Sequence, residues 1–162
     1  MPHLSVVPLQ HAHPTGNRHQ RASYWLHAIL DAAAHAADAP VEILEAINVT
    51  LPSGLVVPDL VVCDAGATVE DGVSVDAEAV QLVVELVSPG NRTMDRKFKP
   101  MLYAEAGIPH FWRLEFDPAP RLVVAELGAG RYVEKDAALA GATTRIHAPF
   151  VVDIDPAGLA RQ

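Results

Sequence analysis

Two short apolar runs constrain the fold of this chain more than any other feature. Leu60-Val61-Val62-Cys63 and Leu82-Val83-Val84-Glu85-Leu86-Val87 are apolar at consecutive positions and rich in β-branched residues. A strand that is apolar on both faces belongs in the interior of a sheet covered on both sides. Each run carries one acid against this grain. Asp59 immediately precedes the first, and Glu85 sits inside the second. A carboxylate in such surroundings is paired, protonated or bound to a cation, because an unpaired one costs several kcal/mol.

The rest of the chain supplies elements to cover such a sheet. From Asn17 to Ala36, the residues Ala22, Trp25, Leu26, Ile29, Leu30 and Ala33 recur at i, i+3, i+4, i+7, the pattern of a helix with one buried face. Asn17 is the expected N-cap, and His19 extends the inward stripe. Val41 to Leu51 alternates, with Glu45 interrupting the apolar face, and reads as one strand. After the Pro52-Ser53-Gly54 turn, Leu55 to Asp64 reads as a second strand and Val80 to Val87 as a third. The second and third are expected to pair as a long hairpin. Ser88-Pro89-Gly90-Asn91 is a breaker. A helical segment then runs to about Ala106, with a kink at Lys99-Pro100 and a stop at Gly107 and Pro109. His110 to Phe116 is a strand. Arg121 to Leu127 and Arg131 to Ala137 form a hairpin around Gly128-Ala129-Gly130, and a strand spans Ile146 to Val152. Asp155-Pro156 starts a last short helix. The order predicts an α+β (mixed α/β) fold around one central mixed sheet, with extra strands at the C-terminal end. Residues 1–16, with Pro2, Pro8, Pro14, His11 and His13, read as a flexible arm, and 17–162 as a single domain.

Composition narrows the setting. No apolar run approaches the roughly 20 residues of a membrane-spanning helix. Met1 to Arg18 lacks the apolar core of a secretory signal. The single cysteine, Cys63, excludes an internal disulfide and reads as a buried, inert thiol, so a reducing cytoplasm is the expected location. The net charge of −8 argues against a general nucleic-acid binder. The basic residues nevertheless cluster, with Arg92, Arg96, Lys97 and Lys99 inside eight positions, either as a solvated helix face or as a site for anions.

Strand alternation places Val83, Glu85 and Val87 on one face, and pairing of the second and third strands would bring Asp59 to the same face. Two adjacent carboxylates repel, and a divalent cation removes the repulsion. Hard oxygen ligands with an incomplete protein shell suit Mg²⁺ or Mn²⁺. The alternative is that each acid pairs with an arginine or a backbone donor. No Gly-rich phosphate loop, Cys-x-x-Cys, His-Glu-x-x-His or Gly-x-Ser-x-Gly occurs.

Four blocks occur in order: Val57-Pro58-Asp59-Leu60-Val61-Val62, Leu82-Val83-Val84-Glu85-Leu86-Val87-Ser88-Pro89, Asp95-Arg96 to Lys99, and Leu102-Tyr103-Ala104-Glu105-Ala106-Gly107-Ile108-Pro109-His110-Phe111-Trp112. Together they resemble the Uma-type family of restriction endonucleases, in the PD-(D/E)XK nuclease superfamily. The resemblance implies a restriction-endonuclease-like fold and hydrolysis of DNA phosphodiester bonds with Mg²⁺ or Mn²⁺. It implies Asp59 and Glu85 as metal ligands and Lys99 as the catalytic lysine, with Lys97 as the fallback. The superfamily often places that lysine two residues after the acid, where this chain has Val87. His19 matches a recurrent family position. Arg92 and Arg96 are the candidate phosphate contacts. A homodimer is expected, since cutting both strands favours two sites on a two-fold axis. Two other readings stand beside this one. One is a non-catalytic nuclease-fold module for binding or assembly, which the acidic balance favours. The other is a metal-dependent hydrolase of a small phosphorylated molecule.

Overall fold

The structure is a computed structural model and describes residues 16–70, 72–87 and 97–162. The arm at 1–15, the Ser88–Asn91 breaker, Arg92 and Arg96 lie outside the described residues.

Helix α1 (Asn17–Ala36) buries Ala22, Leu26, Leu30 and Ala34, spaced by one helical turn, with Ser23 beside them. Trp25, Ile29 and Ala33 are partly buried at the margin of the same cluster. Asn17 is not the N-cap. Gly16 already has the extended backbone of a cap, so Asn17 is the first helical residue and no side chain caps the end.

Both long strands expected before residue 64 are divided. Val41 to Leu51 becomes β1 (Val41–Glu45) and β2 (Asn48–Leu51). Ala46 between them has φ 50, a left-handed backbone that ends the extended run. The next stretch becomes β3 (Gly54–Val56) and β4 (Leu60–Asp64), separated by Val57-Pro58-Asp59. Pro58 has no N–H to give a ladder. A short β5 (Ser74–Asp76) and a 3-10 turn at Ala77–Ala79 precede β6 (Val80–Leu86). Helix α2 (Lys99–Glu105) carries Pro100 in its first turn, where a missing N–H is harmless, and ends at Gly107, with φ 79. Strands β7 (His110–Glu115), β8 (Arg121–Gly128) and β9 (Arg131–Leu139) follow. Ala129 and Gly130, with φ 51 and 81, make the two-residue turn that suits the twist of the β8–β9 hairpin. The expected strand at Ile146 to Val152 is a reversal. β10 (Thr144–Ile146) and β11 (Val152–Ile154) pair antiparallel, with Ile146 opposite Val152. The last element is a 3-10 helix, Pro156–Ala160, capped by the Asp155 carboxylate, which accepts the Ala157 N–H at 3.0 Å.

The central sheet has the order β1-β4-β6-β7-β8-β9. Only β6 and β7 run parallel in it, which requires a crossover, and α2 lies on that crossover. Strands β4 and β6 pair antiparallel as expected, but not as a simple hairpin, because β5 leaves the connection to join β2 and β3 in a second sheet.

The alternation of β6 sorts the core into two layers. Leu82, Val84 and Leu86 pack with Trp112 and Leu114 beneath α1. Val83 packs with Val61, Tyr103 and Phe111 on the side of α2 and the small sheet. The sheet is thus covered on both faces, as the run Leu82–Val87 required. Glu85 shares the parity of Val83 and therefore looks toward α2.

Candidate active site

Glu85 is completely buried, so its carboxyl needs partners. Helix α2 supplies two from residues four apart, which lie on one helix face. The Lys99 ammonium stands 3.3 Å from each Glu85 oxygen, and the Tyr103 hydroxyl donates to Oε1. Lys99 is itself only 2% exposed, so this ion pair is desolvated on both sides. Pro100 helps start α2 at the point where the ammonium is aimed at the sheet.

Asp59 reaches the same place from the neighbouring strand. Leu60 faces Val84 in the β4–β6 ladder, and continuing that register by one residue sets Asp59 opposite Glu85. Continued one step further, the same register would set Leu86 against Pro58. The Leu86 N–H instead donates to Asp59 Oδ2 at 2.7 Å. His19, in the first turn of α1, brings Nε2 to 3.0 Å from Oδ1. Burial pushes the Asp59 carboxyl up. The His19 ring, the Leu86 N–H and the contacting Glu85 carboxyl more than reverse this and hold it below its ordinary value.

Four of the sequence candidates, Asp59, Glu85, Lys99 and His19, therefore converge. Lys97 does not join them and is exposed on the turn before α2. Sequence reasoning missed Tyr103, although its position four residues after Lys99 was the available signal. It also missed a polar row along α1. Ser23 donates to Glu45 at 2.5 Å, and His27 Nδ1 lies 2.8 Å from the other Glu45 oxygen. His19, Ser23 and His27 recur every fourth residue, so the row continues the Asp59–His19 contact along the helix.

Among the described residues, no three His, Cys, Asp or Glu side chains cluster as a metal cage. Mg²⁺ does not require one, since it commonly binds one or two carboxylates and keeps several waters. Asp59 and Glu85 are in side-chain contact, and two carboxylates this close repel unless a proton or a cation lies between them. Their donor chemistry fits a hard divalent ion held by both.

A family model described as "Putative restriction endonuclease" (Uma2) matches residues 9–155. The chain belongs to the Uma2 family. This bears out the resemblance carried by the four ordered blocks. Among solved structures, the chain is similar to a protein from Anabaena variabilis described as "a putative nuclease belonging to DUF820". The two share 14% identity at a TM-score of 0.71, over 94% of this chain and 87% of that one. At this identity the likeness speaks for the fold, and it bears out the expected mixed α+β class. No curated protein matches the chain. Among the described residues, no helix is long and apolar enough to cross a membrane.

Proposed function

We propose that this Uma2 chain is a divalent-metal-dependent endonuclease that hydrolyses phosphodiester bonds of DNA. The observation that carries the reading is the buried Lys99–Glu85 pair with Asp59 against it. A scaffold has no need to desolvate an ammonium and two carboxylates side by side, because well-packed apolar residues serve stability as well or better. In this reading Asp59 and Glu85 hold one Mg²⁺ or Mn²⁺. Such an ion supplies Lewis-acid polarisation of the phosphate and a water of lowered pKa. Lys99 directs its ammonium at charge developing on the phosphoryl oxygens. Tyr103 orients Glu85 through its hydroxyl, and His19 holds Asp59 from the α1 side. Arg92 and Arg96 are read as contacts to flanking phosphates, and Lys97 as an exposed neighbour. Residues 17–162 are read as one domain, since α1 packs against both β11 and the terminal 3-10 helix. A cytoplasmic homodimer completes the reading.

One observation favours a non-catalytic binding module instead. Both Glu85 oxygens already have partners, in a side chain with no solvent exposure. The two readings separate in a plasmid assay. With Mg²⁺ or Mn²⁺, the wild-type protein nicks supercoiled DNA and Glu85→Ala does not. Equal nicking by the variant removes Glu85 from the site, and no nicking together with no divalent-dependent thermal shift favours the module.

A further inference from the structure

A groove of about 350 Å³ lies beside the acid site, between α2 and strands β7 to β9. Its volume falls within the roughly 300–1,000 Å³ of small-ligand sites. Pro100, Met101 and Ala104 form one wall. Pro100 and Met101 lie between Lys99 and Tyr103, and Ala104 follows, so groove and acid site share a helix. Phe111 and Tyr132 line the groove and stack on each other at 5.3 Å between ring centres. The Tyr132 hydroxyl donates to the Ile108 carbonyl at 2.8 Å, which pins that ring. Phe111 is itself buried, so the pinned, half-exposed Tyr132 ring is the stacking surface the groove offers a base.

Arg113 is the arginine of the groove that lies on the strand next to Glu85. It faces Glu85 in the β6–β7 register, on the same side of the sheet and about 4.8 Å away at the backbone. Its Nε donates to Glu115 at 3.0 Å. Its Nη2 lies 3.6 Å from Glu134, which is 61% exposed. That outer partner is long and solvated, so an incoming phosphate displaces it at little cost. The guanidinium fork matches phosphate geometry better than any other side chain. Arg131 adds a second guanidinium to a lining that also carries Glu105 and Glu134.

We propose that this groove is the subsite for the nucleotide next to the scissile phosphate, with its base or sugar against the Tyr132 and Met101 walls and its own phosphate on Arg113. The proposal rests on the nuclease reading of the acid site. The test is binding of a short fluorescein-labelled oligothymidylate in EDTA, read by anisotropy, with thymidine 5′-phosphate and thymidine as competitors. Arg113→Gln weakens oligonucleotide binding about tenfold or more, the loss of one charge-assisted contact. It also abolishes the advantage of the phosphorylated competitor over the nucleoside. Met101→Glu changes a residue that is 61% exposed, so it leaves folding intact and sets a carboxylate on the groove wall. It weakens binding in the same direction and decides the matter if Arg113→Gln does not fold. Wild-type affinity in Met101→Glu, or in both variants, overturns the subsite. So does a Met101→Glu variant whose only change is in oligomeric mass, which would make the groove an interface between copies. Absence of binding by the wild type also overturns it. Plasmid nicking by the same preparation shows whether the nuclease reading falls with it.

Discussion

Replacing Lys99 by Met keeps most of the side-chain volume and removes the charge. Glu85 then stays fully buried with the Tyr103 hydroxyl and without its cation, while Asp59 still stands against it. Removing one partner of a buried ion pair costs about 3–5 kcal/mol, because the other charge is left uncompensated. Taking the lower end, since Tyr103 remains, and about 2–4 °C per kcal/mol for a chain of this size, Lys99→Met unfolds about 6–12 °C below the wild type. The assay is thermal and urea unfolding by circular dichroism in EDTA, so that bound metal does not mask the loss. The double variant Lys99→Met/Glu85→Gln removes both charges and recovers part of the loss, with a coupling of about 2 kcal/mol in the double-mutant cycle. In the plasmid assay Lys99→Met loses about 100-fold or more of the nicking rate, the scale seen for removal of one preorganised electrostatic group. A cost below about 1 kcal/mol would mean that the pair behaves as a solvated surface contact and would refute the reasoning.

Three further outcomes follow from other residues. Because Asp59 is held below its ordinary carboxylate value, its folded-state contribution is full above the unfolded pKa of about 3.9 and is lost as pH falls through the lower folded value. The stability gap between wild type and Asp59→Asn, read from urea midpoints, therefore narrows as pH falls below about 4. Tyr103→Phe removes the hydroxyl that donates to Glu85 and costs about 1–3 kcal/mol, readable in the same unfolding series, since a charge-assisted partner is lost. Burial pushes the Cys63 thiol up to about 11, with Glu42 and Asp64 adding to it. Cys63 in the folded protein should thus resist iodoacetamide at mildly alkaline pH and react only on unfolding, as followed by mass spectrometry.

The elements legible in the sequence were those whose period ran uninterrupted over a whole element. The α1 stripe, the apolar β6 and the Gly128-Ala129-Gly130 hairpin are of this kind. The breaks were harder to see. Alternation continues across Ala46, so nothing in the pattern announced its positive φ or the transfer of β2 to another sheet. Strand β5 has one buried residue, Val75, which is too little for a period to show. Within the site, Asp59 and Glu85 stood out because their neighbours are apolar. Tyr103 did not, because a tyrosine on the inner face of a helix has the same periodicity as a core residue. Glu45 was visible as an interruption, but its partners Ser23 and His27 lie on another element and become neighbours only when α1 packs beside β1. Lys99 was preferred to Lys97 because it directly precedes the helix carrying Leu102 and Tyr103, and it is Lys99 whose ammonium reaches Glu85.

In the proposed nuclease, Asp59 and Glu85 form one divalent-ion site. Crystals soaked in Mn²⁺ and measured at the manganese edge test it directly. One anomalous peak in contact with both carboxylates is expected, with Lys99 still beside Glu85 and the peak lost in Asp59→Ala. A peak elsewhere on the chain, or no peak at millimolar Mn²⁺ with the Lys99–Glu85 pair unchanged, would contradict it.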